Sequence, residues 1–356
     1  MQKDLPIPFF EQPNAIVLAA NNFYVPYLST LLQSIKAHTN TSNFYDIIVL
    51  TRDISQENQQ ELVNQVCCNN INIRFFDVSE FISKLKGLQT PRQLTVETYY
   101  RLFMQDILAH YDVALYMDCD MICQDDVSKL FDIDIKEYHL AACRDVAIIA
   151  HYNKNCIVGF NKYVKQRLQL DDISNYFQAG LILFNLNNMR QDFVVDEILS
   201  LATTMQWQYQ DQDLLNYMMS TKGKVKYLDL RWNYVRWHLF GYKDVHSAKE
   251  FVPQDIYAQY NDANQDFAVI HYAANPKPWA DPQVELGQKF WIYAVQTPFY
   301  DTLISRLKKS IKKPGIRNNK KLKRFVNCFF PLGSKRRKLL MRIFFGKQKD
   351  RKDTRN

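Results

Sequence analysis

The sequence predicts an α/β protein built on a largely parallel sheet, and three observations carry that prediction. Over residues 15–78, apolar runs of strand length alternate with segments of helical periodicity. At 356 residues, 47% hydrophobic and 14% aromatic, the chain can bury a substantial core. Asp118, Asp120 and His271 each stand just past an apolar run, where an open α/β sheet has its ligand crevice.

Residues 15–20, Ala-Ile-Val-Leu-Ala-Ala, predict the first buried strand. Asn21 and Asn22 follow as turn or cap residues, and Tyr27, Leu28, Leu31, Leu32 and Ile35 then recur at helical spacing. Residues 46–50 predict a second strand, 55–66 a polar helix and 71–78 a third strand. The first strand leads into Ala-Ala-Asn-Asn rather than Gly-x-Gly, which disfavours a dinucleotide-binding Rossmann site. In residues 95–108, Val96, Tyr100, Phe103, Met104 and Ile107 share a helical face, with Arg101 carried away from it. Residues 113–117 form a buried strand that delivers Asp118 and Asp120, whose i, i+2 spacing turns both carboxylates the same way. Cys119 between them should point away and serve packing.

Residues 140–142 predict a short strand, and residues 146–176 lack periodicity, as a variable insertion or mobile loop would. Residues 177–186 form an apolar run with Gly180 inside it, expected where a ligand or another backbone comes close. A helix over 188–202 follows, and then one opening on Asp211-Gln-Asp213, with Leu214, Leu215, Met218 and Met219 on its apolar face. Acids in a first turn suit the helix dipole, so this triplet is also what an ordinary N-terminus offers. Residues 225–228 and 267–270 predict the last strands, the second delivering His271. Lys277 lies between Pro276 and Pro278, which hold its backbone extended and place its ammonium for a fixed anion, or else form a rigid surface turn.

Spacing alone does not single out the acidic pair, because Asp132-Ile-Asp134 repeats it. The joint pattern does more. Two carboxylates and an imidazole around a hard divalent cation leave positions for phosphate oxygens, which suits Mn2+ or Mg2+.

Taken together, Ile16-Val-Leu-Ala-Ala-Asn-Asn22, Tyr99-Tyr-Arg-Leu102, Leu115-Tyr-Met-Asp-Cys-Asp120, Tyr176-Phe-Gln-Ala-Gly180, Asp211-Gln-Asp-Leu-Leu-Asn216 and His271-Tyr-Ala-Ala-Asn-Pro-Lys-Pro-Trp279 resemble the glycosyltransferases of family 8. The likeness is to their bacterial lipopolysaccharide galactosyl- and glucosyltransferase branch, and Phe290-Trp-Ile-Tyr-Ala294 with Thr297-Pro-Phe299 looks like its short C-terminal element. The resemblance covers roughly residues 14–300.

It implies a GT-A fold, a Rossmann-like mixed sheet flanked by helices, and retaining transfer of a hexose from UDP-glucose or UDP-galactose. By that likeness Asp118, Asp120 and His271 hold the metal and Lys277 contacts phosphate. Arg101, Asp211 and Gln212 line the donor sugar as the catalytic set, and Ala20, Asn21, Asn22, Gln178 and Ala274 complete the donor site. Asn21 stands where the family often has Asp, Gln178 where Asn is usual, and Ala274 where Gly is common. A lipid-linked saccharide is the implied acceptor; a protein or capsule-type acceptor, or a weakly catalytic scaffold, are the alternatives.

The net charge of +8 divides unevenly: 20 of the 45 Lys and Arg residues but only two of the 37 acids lie from Thr302 onward, leaving residues 1–301 at −10. In the tail, Leu322, Phe325, Val326, Phe329 and Phe330 share one helical face and Leu339, Leu340, Ile343 and Phe344 another. A basic amphipathic helix with bulky aromatics predicts contact with an anionic membrane surface rather than nucleic acid. No apolar stretch is long enough to span a bilayer, no signal peptide is expected before Ile7, and the seven cysteines have no zinc-type pairing. The expected setting is cytoplasmic, peripheral on the inner face of the cell membrane. The expected division is a catalytic domain over 1–280, a short helical element over 281–301 and the basic tail over 302–356.

Overall fold

The computed structural model describes residues 5–84, 96–236, 249–273 and 275–311. Ala274 and the amphipathic tail from residue 312 lie outside the described residues. The apolar runs form β1 (Asn14–Ala19), β2 (Tyr45–Thr51), β3 (Ile71–Asp77), β4 (Val113–Met117), β5 (Met121–Cys123), β6 (Leu140–Arg144), β7 (Phe177–Asn185), β8 (Val225–Tyr227), β9 (Tyr234–Val235) and β10 (Val269–His271).

A seven-stranded sheet has the order β3-β2-β1-β4-β7-β6-β8, and a three-stranded sheet the order β5-β10-β9. From β3 to β4 the strands are parallel, joined by helices such as Val25–His38 and Gln56–Val66. β7 runs antiparallel to both β4 and β6, so the expected largely parallel sheet is mixed in its second half. Every residue of β2 is buried, as a strand covered on both faces requires. Alternate residues feed two cores: Ile16, Leu18, Ile47 and Val49 pack with Leu28, Leu31 and Leu32 of helix Val25–His38 on one face. Ala15, Val17, Ile48 and Leu50 pack on the other, in the core that holds Leu214, Leu215, Met218 and Met219. A third cluster, Ile122, Ile270, Tyr272, Trp279, Phe290 and Leu303 among it, joins the small sheet to helices Gly287–Ala294 and Tyr300–Ile311.

Three local expectations are corrected. Residues 96–103 form a 3-10 helix, followed by a short α-helix Met104–Ile107, and Arg101 is buried within the fold at 4% exposure. Residues 146–176 are not an irregular insertion. They contain helices Val146–Asn153 and Phe160–Gln166, and the first of these is buried from Val146 through His151. A helix apolar all round has no polar face to alternate with, and so no period to find. The helix expected over 188–202 is two, Leu186–Asp192 and Val195–Thr204, separated by extended Phe193 and Val194. The Phe193 carbonyl freed at the break accepts from Gln105 Nε2 at 2.6 Å. Asp118 and Asp120 follow β4 directly, as expected, in the turn that leads to β5.

Candidate active site and metal centre

The parallel half of the sheet delivers the loop after β1 and the turn after β4 to one edge, since the two strands are neighbours. Because β7 is antiparallel, its N-terminal residues 177–180 reach that same edge, and Asp118 N donates to Gly180 O at 2.7 Å. The small sheet then brings in a distant segment: β10 pairs with β5, setting His271 opposite Met121, and Tyr272 N donates to Asp120 O at 2.9 Å. One ligand atom each from Asp118, Asp120 and His271 lie within 4.8 Å of one another. His271 Nε2 is 3.1 Å from Asp120 Oδ1 and 4.0 Å from Asp118 Oδ2. This donor set, two carboxylates and one buried imidazole, fits a hard or borderline divalent cation.

Cations already neutralise the acids. Lys277 Nζ donates to Asp120 Oδ2 at 2.6 Å, to Ala273 O at 3.1 Å and to Tyr272 O. The ammonium expected to face either a fixed anion or solvent is thus folded onto Asp120. Burial would raise the Asp120 carboxyl, but Lys277 and His271 outweigh it and hold it well below the usual carboxylate range. Arg101 Nη2 donates to Asp118 Oδ1 at 2.8 Å, its Nη1 to Ala179 O, and its guanidinium lies 4.2 Å over the Tyr116 ring. Burial disfavours that charge, yet Asp118 and Asp211 keep the guanidinium above its ordinary value. Arg101 Nε lies 3.0 Å from Asp211 Oδ2 while its hydrogen is directed to Thr98 O. Burial pushes Asp211 up to about 6 despite that pairing.

Gln212, beside Asp211 in the first turn of helix Gln210–Thr221, is held at both ends of its amide. Its Oε1 accepts from Ala179 N at 2.9 Å, and its Nε2 donates to Asp145 Oδ2 at 3.0 Å and to Tyr176 OH at 3.2 Å. Gly180 sits among these groups: a Cβ there would meet His271 Cε1 at 2.5 Å, Asp118 Oδ2 at 2.8 Å and Gln178 Oε1 at 2.9 Å. Gln178 Oε1 accepts from Gly180 N and from Asn233 Nδ2, and Asn233 Oδ1 faces His271 Nδ1. Around the β1 loop, Asn21 Oδ1 accepts from Tyr24 N, Asn22 bridges to Asp53, Ser55 and Asn58, and Ala20 is buried with its N–H on Leu50 O. Cys119 turns into the core, its thiol on Ala19 O.

The fold therefore brings together Asp118, Asp120, His271, Arg101, Asp211, Gln212, Gln178 and Lys277. Two participants escape the sequence reading. Asp145 follows β6 as Asp118 follows β4, so the strand-end criterion applied to residues 140–145 would have found it. Asn233 is a lone amide between Trp232 and Tyr234, with no periodic or spacing signal.

Comparison with known proteins decides the family. The model for "Glycosyl transferase family 8" matches residues 15–283. The chain belongs to glycosyltransferase family 8. It is 30% identical over 223 residues to a putative glycosyltransferase of Haemophilus influenzae, covering 62% of each chain. It is 25% identical over 202 residues to a lipopolysaccharide 1,2-glucosyltransferase of Escherichia coli, covering 55% of this chain and 53% of that one. Among solved structures, the bifunctional glycosyltransferase WbbM superposes with a TM-score of 0.75 at 25% identity, over 85% of this chain and 53% of WbbM. The galactosyltransferase LgtC, solved with donor and acceptor sugar analogs, gives 0.63 at 25% identity, over 80% of this chain and 96% of LgtC. This family 8 chain thus spans less than two thirds of the Haemophilus, E. coli and WbbM chains. Its mixed sheet flanked by helices is the GT-A fold.

Proposed function

We propose that this family 8 chain transfers a hexose, glucose or galactose, with retention from a UDP-sugar to a lipopolysaccharide or other lipid-linked saccharide. The convergence of Asp118, Asp120 and His271 at the sheet edge, within 4.8 Å, carries the reading. The family model, the E. coli lipopolysaccharide glucosyltransferase and LgtC support it.

Asp118, Asp120 and His271 would hold Mn2+ or Mg2+, and the bound cation supplies electrostatic stabilisation to the departing nucleoside diphosphate. Lys277 brings a second positive charge to the same place, and Arg101 orients Asp118 and Asp211. Ala20, Asn21, Asn22, Gln178 and Ala274 belong to the donor side of the site. The Gln212 amide, fixed by Ala179 N–H and Asp145, is a poor nucleophile, so retention proceeds by front-side departure and attack through an oxocarbenium-like state rather than through a glycosyl-Gln212 adduct. The catalytic domain is assigned to 1–280, the helical element to 281–301 and the basic tail to 302–356, whose part beyond Ile311 would contact the membrane, with the enzyme peripheral on the inner face of the cell membrane. Among the described residues, no helix is long and apolar enough to cross a membrane.

A screen of UDP-hexoses with Mn2+, followed by an acceptor screen, tests this. Hydrolysis or transfer confined to one UDP-hexose, lost on chelation and in Asp120→Ala, is the expected result. Full activity of Asp120→Ala would sink the metal role, and donor turnover only with a protein or capsule-type acceptor would replace the lipid-linked one.

A further inference from the structure

At the metal centre, the direction of one hydrogen-bonded chain is set by a backbone group. Gly180 N can only donate, and it lies 2.6 Å from the Gln178 side-chain atom Oε1, so that atom must be the acceptor oxygen. The same oxygen is 2.7 Å from Asn233 Nδ2, which makes that end of the Asn233 amide the NH2 donor. Its other end, an oxygen that can only accept, faces His271 Nδ1 at 3.0 Å. Nδ1 therefore carries the hydrogen. Nε2, the remaining ring nitrogen, faces Asp120 Oδ1 at 3.1 Å and is the atom left to coordinate a cation.

We propose that Asn233 and Gln178 are positioning residues for His271: an amide relay, polarised from the Gly180 N–H, that holds the imidazole as its Nδ1–H tautomer and presents Nε2 to a divalent cation between Asp118 and Asp120. The inference rests on the metal-dependent reading above and assigns Gln178 a role other than direct contact with the donor sugar. Burial makes the relay effective, since Asn233 is 4% and His271 2% exposed, leaving the ring few alternative partners. The relay also ties the histidine to β7, whose Ala179 N–H holds Gln212 Oε1. Metal seat and sugar-side amide are thus positioned by adjacent residues of one strand.

The test uses the full chain labelled with 15N-histidine, metal-free in mildly alkaline buffer, with His271 assigned by its loss in His271→Ala. The wild-type ring should be protonated at Nδ1. Gln178→Met removes the acceptor that polarises the relay, and Asn233→Leu removes both of its central contacts. Each should shift His271 toward the Nε2–H form and weaken Mn2+ binding, titrated without donor, by about 10- to 100-fold. Gln178→Glu, which keeps an acceptor oxygen, should keep the Nδ1–H form. A merely structural role would lower the melting temperature without moving the ring tautomer. Nδ1 protonation and Mn2+ affinity that persist in folded Gln178→Met overturn the relay, and this partly exposed position keeps the test available if Asn233→Leu does not fold. A wild-type chain that binds no Mn2+ overturns the metal reading instead, so the two failures are distinguishable.

Discussion

Gly180 is the residue at which the site tolerates least change. A methyl group there would collide with the His271 ring and the Asp118 carboxylate, at 2.5 and 2.8 Å, and both belong to the candidate metal centre. Gly180→Ala should raise the Mn2+ concentration needed for half-maximal donor hydrolysis by about tenfold or more, with circular dichroism unchanged; an unaltered Mn2+ dependence would contradict the geometry. Asp211 makes a different prediction, one of pH. Burial moves its carboxyl from an ordinary 3.8 to about 6, so the folded chain binds this proton more tightly than the unfolded one. Its stabilising contribution is present at low pH and is lost as pH rises through about 6. Asp211→Asn lacks that loss. Relative to wild type, its stability in urea melts should improve by up to about 3 kcal/mol between pH near 4 and neutrality, whereas a pH-independent difference would count against the shift.

At the scale of single elements, one carboxylate serves both a helix and the site. Asp145 Oδ1 accepts from Ile148 N at 3.0 Å and caps helix Val146–Asn153, while Oδ2 accepts from Gln212 Nε2 at 3.0 Å. Asp145→Asn can keep the capping oxygen only by turning an NH2 toward the Gln212 NH2. Stability should change by about 1 kcal/mol or less, while kcat falls about 10- to 100-fold from the displaced amide; steady-state kinetics beside thermal melts separate the two. The same element shows where sequence is silent. Helix Gln56–Val66 is legible because Leu62 and Val66 are buried along an otherwise polar stretch and Ser55 caps it. Helix Val146–Asn153 is not, because burial on nearly every side erases the alternation.

For the whole molecule, the relation of body to tail matters most. Helix Tyr300–Ile311 straddles the expected boundary at 302, buries Leu303 completely, and sends Arg306 over the Phe23 ring at 4.0 Å and onto Phe23 O at 2.6 Å. A cut after Tyr300 would remove part of the folded body, with a loss of roughly 1.5–3 kcal/mol from Leu303 alone. Truncation after Ile311 should instead retain donor hydrolysis and abolish co-sedimentation with anionic vesicles, and the binding of the full chain should weaken with added salt. A chain ending at Ile311 that still pellets with vesicles would place membrane affinity in the body, despite the −7 charge of residues 1–311.

The sequence by itself determined the succession of strands and helices in the first half, the family through motifs in register, and Asp118, Asp120 and His271 as strand-end candidates. The elements and the strand-end residues follow from local periodicity or short spacing, and the family from resemblance to known motifs, all of which a linear reading preserves. Only the tertiary structure decided that His271 closes on the acid pair through β5–β10 pairing, that Lys277 rests on Asp120, and that Gln178, Asn233 and Asp145 brace the functional side chains. Strand order and register set those meetings. Neither is encoded in spacing along the chain, because pairing partners are chosen by burial and hydrogen bonding across the fold.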